Sequence, residues 1–258
     1  MATNGGATLI SKEHALTFKN VSFDYGDIGV AKKSIFANLR AKMTQKPKRK
    51  QREKFILSEI NLTIKHGEIV GVIGRNGAGK STFLKMSSGI LFPTIGEVRN
   101  TGKVAPMIEL GAGFSMDFSA RENILVYGCL MGNTRKEVLA KTEEILEWAE
   151  LSDFGDVPMR TFSTGMIGRV AFSAATAFTA DLILIDEVLS VGDETFRNKS
   201  QIRVNTLLNS GAAVILVSHD LETIRKFSSR VIVLEKGKIL FDGDSDLAIS
   251  KYLEMLYE

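Results

Sequence analysis

The chain has little that would lock it covalently or bury it in lipid. One of its 258 residues is cysteine, Cys129, so no internal disulfide can form, and no ligand cluster surrounds that thiol. A reducing compartment, the cytoplasm by default, is therefore expected. Long apolar runs are missing too. The longest tract, Val170 to Val191, is interrupted by Asp181, Asp186 and Glu187, short of the roughly 20 uninterrupted apolar residues that a membrane span requires. Met1 to Glu13 contains no apolar h-region, so no export signal is expected. Nor is there a large excess of one charge. With 33 Lys and Arg against 30 Asp and Glu, the net charge is +3, which argues against a general nucleic-acid binder.

What the chain does have is a core and a phosphate loop. A length of 258 residues suggests one large or two small domains, and a hydrophobic content of 44% is enough for a substantial core. Residues 1–14 read as a polar, disordered tail, and Ala15 to Phe23 alternates as a half-buried strand does. Tyr25 follows, either an ordinary hairpin aromatic or a platform for a base. Between Lys32 and Lys54 an amphipathic stretch, Ser34 to Leu39, precedes a basic run of Lys46, Lys48, Arg49, Lys50, Arg52 and Lys54. That run suits a solvated loop, or contact with an anionic membrane surface or anionic substrate. Two predicted strands, Ile56 to Ile64 and Glu68 to Ile73, then deliver Gly74-Arg75-Asn76-Gly77-Ala78-Gly79-Lys80-Ser81-Thr82.

This G-x-x-x-x-G-K-[ST] spacing, between a strand and a helix, is a phosphate cradle. Its glycines let the backbone curl so that N–H groups converge on β- and γ-phosphate oxygens. Lys80 adds a point charge, Ser81 a ligand for Mg²⁺, and the following helix the positive end of its dipole.

Downstream, Gly96 to Pro106 reads as short strands and turns, and residues 111–165 as a helical insertion in which Thr134 caps a helix carrying Val138, Ile145, Trp148 and Ala149 on one face. Phe162-Ser163-Thr164-Gly165-Met166 leads into a helix predicted from about Gly168 to Thr179. Ser163 and Gly165 form a second possible anion site or a plain serine cap. Leu182 to Ile185 has no polar alternation and suits a strand buried on both faces. It ends in Asp186-Glu187. Ala213 to Ser218 is a similar strand, with His219 at its end. Ligands of open α/β sheets bind beyond the carboxyl ends of strands, so Asp186, Glu187 and His219 belong on the edge that carries the phosphate loop. There Asp186 would hold Mg²⁺ through water, Glu187 polarise the attacking water, and His219 sense γ-phosphate. A hairpin around Lys236-Gly237 and a helix from Asp246 to Glu258 close the chain.

In this order the motifs resemble the nucleotide-binding subunit of ABC transporters, over nearly the whole chain. The resemblance implies an α/β fold of the P-loop NTPase type: a mainly parallel core sheet, an antiparallel β subdomain and an inserted helical subdomain, all within residues 15–258. Gly74 to Thr82 looks like Walker A, Asp186 like Walker B with Glu187 as the carboxylate that activates water, Phe162 to Met166 like the signature, Gly192-Asp193 like the D-loop and His219 like the switch histidine. Tyr25 matches the adenine-stacking aromatic, and Glu109 stands where a Mg²⁺-binding glutamine is usual.

The departures resemble one subgroup, the ATPases that export O-antigen, capsule or teichoic-acid polysaccharides. These are Glu109 to Phe114, Arg121-Glu122-Asn123-Ile124, Ile185 to Asp193 and the basic insertion at about 26–55. The subgroup implies ATP and Mg²⁺ as cofactors and a homodimer in which Ser163 and Gly165 complete the partner's site. It also implies a separate integral-membrane permease dimer that handles the polysaccharide cargo, and a peripheral place on the cytoplasmic face of the inner membrane. Chain length further suggests a short form without a carbohydrate-binding domain. A multidrug or lipid exporter is the nearest alternative. A soluble ABC-type ATPase acting on nucleic acid is another, weakened by single copies of each motif and the lack of sustained heptads.

Overall fold

The computed structural model describes residues 13–26, 55–108, 110–186 and 192–257. The basic insertion, Glu109, Glu187 and nearly all of the N-terminal tail lie outside these residues. In chain order the first half comprises β1 (His14–Phe23), β2 (Leu57–Lys65), β3 (Ile69–Gly74), α1 (Lys80–Ser87), β4 (Ile95–Asn100), β5 (Val104–Met107), α2 (Ala120–Leu130) and α3 (Arg135–Trp148). The second half comprises α4 (Thr164–Thr176), β6 (Leu182–Asp186), α5 (Glu194–Leu208), β7 (Ala213–Val217), α6 (Leu221–Phe227), β8 (Arg230–Glu235), β9 (Lys238–Asp244) and α7 (Ser245–Tyr257).

Strands with no polar alternation must be covered on both faces, and the topology does this. The main sheet has the order β5-β6-β7-β3-β8-β9, parallel throughout except where β9 returns antiparallel to β8. Alternate residues of one strand enter opposite cores. Ile183, Ile185, Val214 and Leu216 face a layer built by α2 to α7, while Leu182, Leu184, Ile215 and Val217 face α1 and the antiparallel sheet β2-β1-β4. In the second layer Phe18 of β1 stacks on Phe83 of α1 at 4.9 Å between centroids. The expected parallel sheet, antiparallel subdomain and helical insertion are all present.

Helix starts follow side-chain caps. Ser119 and Thr134 each accept from a backbone N–H three residues on, and Glu122 and Glu137 answer with capping boxes. The Ser119 and Thr134 backbone N–H groups that donate to them hold both carboxyls below the usual range. Two expectations need correction. The helix predicted from Gly168 to Thr179 runs from Thr164 to Thr176, because Ser163 Oγ takes the Met166 N–H (3.2 Å) and fixes the first turn four residues earlier. The fifteen-residue α5 was not anticipated. Its buried row is Phe196, Ser200, Val204 and Leu208, and the serine breaks the apolar stripe.

Candidate nucleotide site

Three neighbouring parallel strands, β6, β7 and β3, end at one edge of the sheet, with Asp186 directly opposite Val217. That edge opens into a cavity of ≈ 380 Å³ lined by Asn76, Gly77, Gly79, Lys80, Ser81, Thr82, Asp186 and His219, with Ile56 and Val217 as its apolar wall. The structure therefore brings together the phosphate-loop residues, the β6 acid and the β7-end histidine, as the strand-edge rule requires.

The loop is held from behind. Gly237 of the β8–β9 turn donates its N–H to Ala78 O (3.0 Å), and Ser58 N–H donates to Gly237 O (2.8 Å). The Lys80 ammonium donates to Gly74 O (2.7 Å) and Arg75 O (3.2 Å), so the loop curls around a buried cation. Gly79, at φ +106, presses against Leu57. Gly77, at φ +79, has no atom within 4 Å of where a side chain would start. The first is glycine for packing, the second for open space over the cavity.

Helix N-termini sharpen the assignment. Among the described α-helices, α2, α3, α5, α6 and α7 carry an acid in the first turn; α1 and α4 carry none. A first-turn carboxylate stabilises a helix and repels an anion. The two helices without one start at the two predicted anion sites, and α1, entered through Gly79, has no side-chain cap either. Its first turn and the Lys80 charge fit a polyphosphate. The Ser81 hydroxyl and Asp186 are oxygen donors suited to Mg²⁺.

Tyr25 reaches the loop's rim. Its ring is 47% exposed, rests edge-on against Phe23 (4.9 Å) and places its hydroxyl 3.5 Å from Thr82 Oγ1. A face remains open for a base. Ser163 and Gly165 do not line this cavity. They form the start of α4, with Ser163 exposed and Gly165 half-buried, where a side chain on Gly165 would meet only Ser163 Oγ at 3.8 Å. The Ser163 oxygen accepts from Met166, which leaves its hydrogen to donate outward.

The segment around Arg121 to Ile124 also gains a physical role. Buried Asn123 donates to Ser115 O (2.9 Å) and Ser119 O (3.0 Å) and accepts from Ser115 N–H (2.7 Å), pinning the chain that follows Gly113. Phe114 meets Tyr127 edge-on at 5.8 Å. The sequence reading missed Arg169, the second-turn residue of α4, whose guanidinium donates to Glu150 Oε2 (2.9 Å) and to Asp193 Oδ2 (2.5 Å).

Comparison with known proteins agrees with this geometry. The chain is 42% identical over 200 residues to the O-antigen export system ATP-binding protein RfbB of Myxococcus xanthus, a match covering 78% of this chain and 46% of that protein. It is 38% identical over 207 residues to the protein of the same name from Klebsiella pneumoniae, covering 80% of this chain and 84% of the relative. The chain thus spans about half the length of the first of these relatives. A solved dimeric ATP-binding cassette, in a post-hydrolysis state with ADP and phosphate, superposes with a TM-score of 0.65 at 24% identity. The match covers 89% of this chain and 98% of that one. The ABC transporter family model matches residues 57–190, more than half of the sequence. This chain belongs to the ABC transporter family, as one of its ATP-binding domains.

Proposed function

We propose that this chain hydrolyses ATP to power export of a lipid-linked polysaccharide, O-antigen or a related capsule or teichoic acid. In this reading it works as a homodimer beside a separate membrane permease. The observation that carries the reading is the pairing of acid-free helix starts, α1 with Lys80 inside the cavity and α4 outside it. One chain holds a phosphate cradle and, elsewhere, a second anion seat lacking a lysine. Two chains facing each other complete two sites.

Within each site the loop N–H groups and Lys80 would hold the β- and γ-phosphates, Tyr25 would stack on the base, and Ser81 and Asp186 would hold Mg²⁺. The metal, when bound, offsets phosphate charge as the γ-phosphoryl group leaves. Glu187, next along the chain from Asp186, orients the attacking water. His219, on the cavity wall, donates toward γ-phosphate oxygens. Glu109 would add a carboxylate at the metal. Ser163 and Gly165 of the partner copy would close over the same γ-phosphate. Closure then depends on nucleotide, since only the triphosphate spans both halves.

No described helix is long and apolar enough to cross a membrane, and in this reading the separate permease supplies the passage. The groove between α1 and α2, of ≈ 80 Å³ and lined by Ile90, Ile108, Tyr127 and Met131, offers a seat for an apolar cytoplasmic segment of the permease. Phe92 (79% exposed) and Leu130 (68%) lie close in sequence to its lining residues Ile90 and Met131. A peripheral position on the cytoplasmic face of the inner membrane belongs to this reading. Replacing Glu187 with glutamine tests the chemistry. Turnover should fall at least 100-fold while ATP still binds, and undiminished hydrolysis by a folded variant removes Glu187 from the mechanism.

A further inference from the structure

Arg169 stands where three separate parts of the chain meet. It lies on α4, six residues past the exposed Ser163, and only 20% of its side chain is accessible. One guanidinium nitrogen donates to Glu150, just past the end of α3, and another to Asp193, which begins α5. Both carboxylates are shared. Asp193 uses its other oxygen to cap α5 through the Phe196 N–H (2.9 Å), and Glu150 uses its other oxygen toward Lys199 Nζ (3.4 Å) on α5. The same ammonium donates to Trp148 O (2.8 Å) and lies 4.7 Å above the Trp148 ring. Beneath this layer, Trp148 stacks on Phe172 (5.5 Å), and Phe196 meets Trp148 edge-on at 5.1 Å.

We propose that Arg169 is a positioning residue for hydrolysis: it ties the Ser163 helix, which serves the partner's site, to Asp193, close in sequence to Asp186 of the chain's own site, so the two ATP sites of the dimer are coupled. The argument is one of connectivity. Asp186 ends β6 in the nucleotide cavity, and Asp193, seven residues on in sequence, is held by Arg169. One guanidinium thus joins α4 to a residue close in sequence to the cavity acid. Coupling of this kind needs discrete, fully engaged partners, and every charged member here has two. Because Glu150 also holds Lys199 over Trp148, the state of the clamp is written into the environment of the chain's single tryptophan.

The proposal rests on the ATPase reading, and the experiment separates the two. Purified full-length chain is assayed for ATP turnover, for calorimetric affinity toward ADP, and for the change in Trp148 fluorescence on adding MgATP. In Arg169→Gln, kcat should fall at least tenfold and the fluorescence change should vanish, with KM and ADP affinity within twofold of wild type. Arg169→Lys, keeping the charge but not the fork, should recover part of both losses. Should Arg169→Gln fail to fold, Glu150→Gln is read the same way, with an expected loss in kcat of at least threefold. Unchanged kcat overturns the proposal, as does a fall in kcat matched by a fall in ADP affinity, or a fluorescence response that survives. A wild-type chain that neither binds nor hydrolyses ATP overturns the ATPase reading as well.

Discussion

Gly77 and Gly79 sit two residues apart, yet their replacement by alanine should fail in different ways. At Gly79, φ +106 is a conformation that L-residues rarely adopt, and a Cβ would lie 2.7 Å from Leu57 Cδ2 and 3.1 Å from Ile56 O. Leu57 is fully buried and has little room to retreat. Backbone strain of about 1–3 kcal/mol and overpacking of about 1–3 kcal/mol together lower stability by roughly 2–6 kcal/mol. At about 2–4 °C per kcal/mol for a domain of this size, Tm should drop on the order of 10 °C. Gly77 carries backbone strain alone, about 1–2 kcal/mol, because its Cβ would meet nothing within 4 Å. Its Tm should fall by only a few degrees. The same open space lies over the cavity where the phosphates are assigned, so ATP affinity of Gly77→Ala should fall at least tenfold. Thermal unfolding and calorimetric titration measure the two effects on the same samples. A Gly77→Ala variant that binds ATP like the wild type would refute the placement of the phosphates. A Gly79→Ala variant as stable as the wild type would refute the packing argument.

Tyr25 should obey the logic of stacking. Tyr25→Phe keeps the ring and loses only the 3.5 Å contact to Thr82, so affinity should hold within twofold. Tyr25→Ala should cost about 1–3 kcal/mol, or roughly 5- to 150-fold, and equal affinities would remove the base from this face. Tyr127 gives a pH signature. Burial pushes its phenol up to about 12, above an ordinary value near 10, so the unfolded chain loses that proton first. Its contribution is fully present below about pH 10 and is lost between about pH 10 and 12. The loss approaches 3 kcal/mol at 1.4 kcal/mol per pH unit. In urea titrations at pH 8 and pH 11, Tyr127→Phe should lose less stability on going alkaline than the wild type. An identical loss in both would show that the ring is not shielded.

The cavity was legible because each of its residues is marked locally. Glycine spacing announces the loop, and apolar runs without alternation place Asp186 and His219 at strand ends. Thr134 was readable as a cap for the same reason, since its partner Glu137 is three residues away. What escaped was non-local or disguised. Arg169 finds its carboxylates 19 and 24 residues away in sequence, and no spacing rule joins them. In α5, Ser200 interrupts the buried row. The start of α4 shifted because the Ser163 cap decided it, while the apolar pattern begins later, at Val170. Ser163 itself was predicted, but its assignment to a partner's site came from the family resemblance and not from a local feature.

That division between chains is the central claim, and mixing two inactive variants tests it most directly. Lys80→Met disables the phosphate loop, and Ser163→Arg blocks the α4 start. Each homodimer should hydrolyse ATP at a small fraction of the wild-type rate. When the two are co-expressed, a mixed dimer has one doubly damaged site and one in which an intact loop faces an intact α4. The account predicts that ATPase activity returns to roughly a quarter of wild type, from statistical pairing with one active site in each mixed dimer. Activity no greater than the sum of the two variants would contradict it, and would place Ser163 and Lys80 in the service of the same chain's site.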